Sequence, residues 1–150
     1  MFENEPDAMT AIQSGVIVPG DVVVVRNVGP KGGPGMPEMV MLTIELQGRG
    51  LGKDVALITD GRFSGVSHGI LIGHICPEAA DGGPLAAVKD GDVIVIDPVN
   101  RTLDVAIDNN ELQRRMAIIE PRELPSTIPQ GSVLRRYSRH VSSAHYGCVQ

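Results

Sequence analysis

Three segments of this 150-residue chain concentrate the residue types that hold or transform small molecules. The densest is Gly29-Pro30-Lys31-Gly32-Gly33-Pro34-Gly35-Met36-Pro37-Glu38-Met39, where seven of eleven residues are Gly or Pro. Glycines let backbone N–H groups come close to a ligand, and a loop running into a helix N-terminus suits an anion such as a carboxylate or phosphate. Lys31 would add positive charge. The pattern is neither a Walker A loop, which needs Gly-Lys and then Ser or Thr, nor GxGxxG. A rigid surface loop with Glu38 as a simple helix-dipole partner reads equally well.

The second segment is Leu57-Ile58-Thr59-Asp60-Gly61-Arg62-Phe63-Ser64-Gly65-Val66-Ser67-His68-Gly69, an apolar strand running out into polar residues on a glycine-hinged loop. Strand-end loops of this kind commonly present reactive groups. It is not the GxSxG elbow of hydrolases, and the glycines between Ser64 and His68 argue against a helix that would align them as a nucleophile pair. The plainer reading is a tight turn in which Asp60 and Ser64 bond to backbone. The third segment, Gly73-His74-Ile75-Cys76-Pro77-Glu78-Ala79-Ala80-Asp81-Gly82-Gly83-Pro84, reads first as structural, with His74 hydrogen-bonded and Cys76 a small core residue. From the residues alone the chemistry reaches an anion-binding site on a sheet-rich scaffold and names no reaction.

Several elements must position these segments. Apolar residues between Pro6 and Ser14, stopped by Gly15, predict a helix. The turn Val18-Pro19-Gly20-Asp21 feeds the β-branched run Val22–Val25, and Gly91-Asp92-Val93-Ile94-Val95 repeats the phrase, which suggests two hairpin turns in one sheet. Val55–Thr59 and Ile70–Ile75 read as strands, and Glu38 to Gln47 as a helix with Pro37 at its first position and Gly48 at its stop. Val93–Asp97 and Thr102–Ile107 read as a hairpin. Asp108 and Glu111 resemble a capping box opening Leu112–Ile119. Pro121, Pro125 and Pro129 mark an irregular arm before a last helix, Ser132–Val141, whose Arg135, Arg136 and Arg139 read as a solvated face. About six strands in hairpin-like pairs, with three or four short helices, predict an α/β domain with a barrel-like or two-layer sheet body, not a doubly wound sheet. The length predicts one domain.

Composition narrows the function. Thirteen Lys+Arg against eighteen Asp+Glu give a net charge of −5, the wrong sign for a nucleic-acid binder. Two Phe, two Tyr and no Trp are too few for base- or sugar-stacking surfaces. Apolar residues at 42% suffice for a core, and the 18 Gly and 11 Pro have no collagen period. Cys76 and Cys148 form no CxxC pair, so a four-ligand zinc or iron–sulfur site within the chain is not expected, and free thiols suggest a reducing compartment. The acidic start Met1-Phe2-Glu3-Asn4-Glu5 is not a signal peptide, and no apolar run approaches a membrane span.

The three segments, in this order and spacing, resemble the C-terminal domain of the dihydroxy-acid dehydratase / 6-phosphogluconate dehydratase family, over nearly the whole chain. The tail Tyr137–Val149 and the form Gly32-Gly33-Pro34-Gly35 are more similar to its dihydroxy-acid branch. The resemblance implies a swivelling β/β/α domain and a larger N-terminal domain supplying cluster cysteines and most Mg²⁺ ligands. It also implies a hydro-lyase that converts a 2,3-dihydroxy acid to a 2-oxo acid in valine, leucine and isoleucine synthesis. Ser64 falls at the family's proposed base and Glu38 at a carboxylate of the Mg²⁺ shell, while Lys31, Gly32, Gly33, Gly35, Arg62 and Gly65 fall on the substrate side. Val66 stands where some sugar-acid dehydratases have a second hydroxyl, with Ser67 nearby. Cys76 and Cys148 match no cluster-ligand position, so no iron–sulfur contact is expected within this chain. The implied full-length enzyme is a homodimer of the cytoplasm, or of the mitochondrial or plastid matrix in a eukaryote, and the isolated chain is expected to be inactive. A sugar-acid dehydratase domain and a non-catalytic anion-binding or assembly module remain the alternatives.

Overall fold

The computed structural model describes residues 1–120 and 122–150, so Pro121 of the irregular arm lies outside the described residues. Asn4 opens helix α1 (Glu5–Ser14) by accepting a hydrogen bond from Asp7 N, and Gly15 closes it at φ 77°. Strand β1 (Val22–Val25) is followed by α2 (Val40–Gly48), β2 (Ala56–Thr59) and β3 (Ile70–Ile72). These strands form one parallel sheet in the order β1-β2-β3, with Val24 beside Ile58 and Ile58 beside Ile72. Phe2 pairs with Val25 along the other edge of β1.

β1 and β2 are buried on both faces, which is why they read as unbroken apolar runs and not as alternating ones. Val23, Val25 and Leu57 meet Ala8 and Ile12 of α1 and Leu42 and Leu46 of α2 on one face. On the other face Val24 and Ile58 meet Ala79, Leu85 and Val88, packed in turn against Ile94, Ile96 and Leu103. Those last residues belong to an antiparallel hairpin of β4 (Ile94–Asp97) and β5 (Thr102–Val105). Three layers result: helices, parallel sheet, hairpin. Helix α3 (Asn109–Ala117) is tied to the start of the hairpin by Arg115, which donates to Asp92 at 2.5 Å and to Ala87 O at 3.2 Å. Helix α4 (Val133–His140) begins at Ser132, whose Oγ accepts from Arg135 N.

The barrel-like body is therefore corrected. Among the described residues two separate sheets are present and neither closes. The repeated Gly-Asp phrase misled in one of its two places. Gly91-Asp92 does lead into a hairpin, but Gly20-Asp21 leads into a strand whose sheet neighbour is parallel and reached through α2. Local turn chemistry is the same in both, and only the intervening helix decides the direction of return. The helix expected from Glu38 starts at Val40, because Glu38 is extended and pairs with Arg62. The capping box is half formed: Asp108 accepts from Asn110 N and Glu111 N, while Glu111 turns to Arg114 and Arg115. Among the described residues no helix is long and apolar enough to cross a membrane.

Candidate functional site

All three chemistry-bearing segments leave the same end of the parallel sheet. β1 runs into the Gly-rich loop, β2 into Asp60–Gly69, and β3 into Gly73–Pro84. In open α/β sheets the crevice outside the carboxyl ends of the strands is the usual place for a ligand. Three non-glycine residues hold left-handed backbone there: Asn27 (φ 61°), Met36 (φ 46°) and His74 (φ 56°). Such conformations persist only where surrounding contacts over-determine them.

Two buried carboxylates tie these loops together, and one of them, Asp60, holds Asn27 directly. Asp60, fully buried, accepts from Asn27 N (2.9 Å), Val28 N (3.0 Å) and Ala79 N (2.9 Å), joining the three segments at one side chain. Glu78 accepts from Lys31 N at 2.8 Å and Gly32 N at 2.9 Å. Burial pushes the Glu78 carboxyl above its usual range, the two N–H donors pull it down, and the charges of Asp60 and Asp81 add upward pressure. The backbone donors expected to face a substrate anion thus hold an anion of the chain itself. Lys31 Nζ is likewise paired with Asp81 at 2.5 Å. Close packing explains two glycines: a Cβ on Gly32 would stand 2.9 Å from Ala80 Cβ, and one on Gly33 2.7 Å from Val28 Cα. Gly35 is exposed at φ 93°, and Gly65 has open space around it.

Ser64 is half-buried on the second loop. Its Oγ accepts only from Val66 N, at 3.3 Å, and among the described residues no hydrogen bond joins it to His68. The loop turns there through Ser67 N to Ser64 O, and Ser67 Oγ is buried without a partner among the described residues. Arg62, two residues before Ser64, pairs by backbone with Glu38, and its Nε donates to Met36 O at 2.5 Å. Arg62 thereby fastens the Gly-rich loop to the serine loop and brings Glu38 alongside it. Glu38 Oε2 accepts from Val40 N, which seats the carboxylate at the start of α2. Burial and the charge of Glu38 together push the nearby Glu5 carboxyl up.

A fourth segment joins the site. Ser138 of α4 donates to Lys31 O at 2.6 Å, and Leu134 lies against Gly35. Lys31, Cys76, Asp81, Ser142, Ser143 and Tyr146 then line a cavity of about 580 Å³ between loop and tail. Cys76 is exposed, and burial raises the Cys148 thiol, with Cys76 and Glu78 contributing.

Asp60 and Glu78 are the residues whose part the sequence concealed. Each ends an apolar stretch beside Gly or Pro, a visible signal, but neither shows which distant N–H groups it will meet. Magnesium takes oxygen ligands, and Glu38 fits as one, with Oε1 free of hydrogen bonds among the described residues. Among those residues no group of three or more His, Cys, Asp or Glu could hold a metal. Two thiols are fewer than the four of a cysteine-held iron–sulfur cluster.

The fold and the site define a mixed α/β domain with its three chemistry-bearing loops gathered at the carboxyl edge of a short parallel sheet. Residues 1–148 match the family model described as dihydroxy-acid/6-phosphogluconate dehydratase C-terminal, and the chain belongs to that family. It is 53% identical over its full length to a dihydroxy-acid dehydratase of Nitratidesulfovibrio vulgaris (strain DP4), covering 26% of that protein. It is 50% identical over 99% of its length to a dihydroxy-acid dehydratase of Aeropyrum pernix, again 26% of that protein. To one of Mycobacterium sp. (strain JLS) it is 52% identical, over 99% of this chain and 25% of that protein. The chain thus spans about a quarter of the length of the curated relatives it matches.

Proposed function

We propose that the chain is the C-terminal domain of a dihydroxy-acid dehydratase, with its three layers arranged as a swivelling β/β/α domain. The reaction takes a 2,3-dihydroxy-3-methyl carboxylic acid to the 2-oxo acid and water, within valine, leucine and isoleucine synthesis. The C2 proton leaves to a base, the C3–O bond breaks as water departs, and the enol formed gains a proton at C3 as it becomes the ketone. The observation that carries this reading is the convergence of the three family segments at one sheet edge, with Ser64 beside the Glu38–Arg62 pair.

Ser64 is the proton acceptor at C2 in this reading. Its Oγ is half-exposed and lightly held, so it can turn toward a substrate. A serine hydroxyl is a weak base until it is activated. Glu38 would provide one oxygen to a Mg²⁺ ion. Such a metal, together with an iron–sulfur cluster held outside this chain, would supply Lewis acidity toward the substrate's carboxylate and hydroxyl oxygens. Arg62 keeps the serine loop in place, and Gly65, the Gly32–Gly35 turn and Lys31 fall on the substrate side. The region preceding this chain completes the site, and the full-length enzyme pairs as a homodimer.

In the full-length enzyme Ser64→Ala should lower kcat by about a thousandfold, within the range of a lost general base. Its melting temperature should stay unchanged, since the hydroxyl makes one long hydrogen bond. Turnover near that of the parent would overturn the role of Ser64. Assay of the parent on branched dihydroxy acids and on sugar acids tests the substrate class, with turnover expected on the former.

A further inference from the structure

Helix α2 carries large apolar residues on its outward face as well as its inward one. Val40-Met41-Leu42-Thr43-Ile44-Glu45-Leu46-Gln47-Gly48 has one charged residue, Glu45, which pairs with Arg49. Leu42 and Leu46 face the core, yet Met41 is 55% and Ile44 54% exposed on the opposite side, flanked by Glu45 and Gln47. A surface helix ordinarily keeps that outward stripe polar.

The loop Arg62–His68 runs beside this helix. β2 and β3 are parallel neighbours, so the loop must return from the carboxyl end of one to the amino end of the other, as α2 does between β1 and β2. Both ends of the loop are pinned to the helix. Arg62 pairs with Glu38 just before α2, and Gln47 in its last turn donates to His68 O at 3.2 Å. Val66, 70% exposed, lies on that loop, and Ile70, 43% exposed, begins β3 at the sheet's unpaired edge. Met41 and Ile44 on the helix, Val66 on the loop pinned along it and Ile70 on the strand that follows thus make an apolar ridge, and the loop that carries Ser64 is one wall of it.

We infer that this ridge is the surface on which the preceding region of the full-length protein docks. The inference rests on the reading of the chain as the last quarter of a longer protein, as its relatives' lengths indicate. The loop that presents Ser64 is also one wall of the ridge, so a region that completes the site must lie against it. A second copy seated here would compete for that loop. The lack of unpaired charge on α2 fits an apolar protein surface and not an anionic partner.

The test uses purified full-length protein carrying p-benzoylphenylalanine at position 44 or, separately, at position 41. Illumination should give crosslinks within one chain, from either position to residues preceding this segment. Absence of such products at both positions would overturn the inference. So would products that only join two copies at twice the chain mass. The readout is independent of turnover: intrachain crosslinks in an inactive protein would sink the dehydratase reading alone, and an active enzyme lacking them would sink the ridge alone.

Discussion

At the scale of the residue, the site depends on carboxylates that do no chemistry themselves. Asp60 gathers three backbone N–H groups, the adjacent pair of Asn27 and Val28 and that of Ala79, at a fully buried side chain. Asp60→Asn keeps the shape but turns an amide N–H₂ toward some of those donors. With a buried unsatisfied donor costing about 1–3 kcal/mol, the variant should lose at least that much stability in urea unfolding. Ser64→Ala, by contrast, should leave stability alone and remove activity. The pair separates the site-building part of Asp60 from the catalytic role proposed for Ser64. Neither role is visible in residue type, since an Asp at a strand end and a Ser in a glycine loop each have ordinary structural uses.

At the scale of the element, the glycines divide by what surrounds them. Gly33 packs on the backbone of Val28, and a Cβ there would stand 2.7 Å from its Cα. Gly33→Ala should cost about 1–3 kcal/mol, as overpacking does, and should loosen the loop that Glu78 holds. Gly48 ends α2 with open space around it. Gly48→Ala should stabilise by about 0.5–1 kcal/mol, because alanine loses less entropy in a helix. Thermal unfolding of the two variants should move in opposite directions. The glycine-rich composition points to both sites equally, and only packing tells them apart.

At the scale of the whole molecule, the layers are fastened by a few partly buried ion pairs. Arg115 of α3 holds Asp92, where the chain enters the hairpin, and this hydrogen-bonded pairing, opposed by some burial, keeps the Asp92 carboxyl below its usual range. A depressed carboxyl contributes stability above its unfolded value of 3.8, and the contribution is lost as pH falls through the lower folded value. Asp92→Asn should therefore be less stable than the parent at neutral pH, with the difference closing below that unfolded value. Urea unfolding across pH measures it; a difference that stays constant would show that packing, not charge, joins α3 to the hairpin. The exposed half of α2 belongs to this scale too, as the docking surface inferred for the preceding region.

The sequence by itself determined many of the elements and the loops to which chemistry is assigned. Strand β1, the β4–β5 hairpin, the Gly15 stop of α1, the Asp108 cap of α3 and the three loops were all legible, since each follows from local propensity and turn chemistry. Motif order and spacing also pointed to the family. Tertiary structure alone decided that β1, β2 and β3 are parallel, because identical Gly-Asp turns precede a parallel strand and a hairpin strand. It decided that the glycine-loop donors meet Glu78 and that α4 folds back on Lys31, contacts between residues far apart in the chain. Local sequence sets which conformations are cheap; which distant groups satisfy a buried donor depends on the packing of the whole.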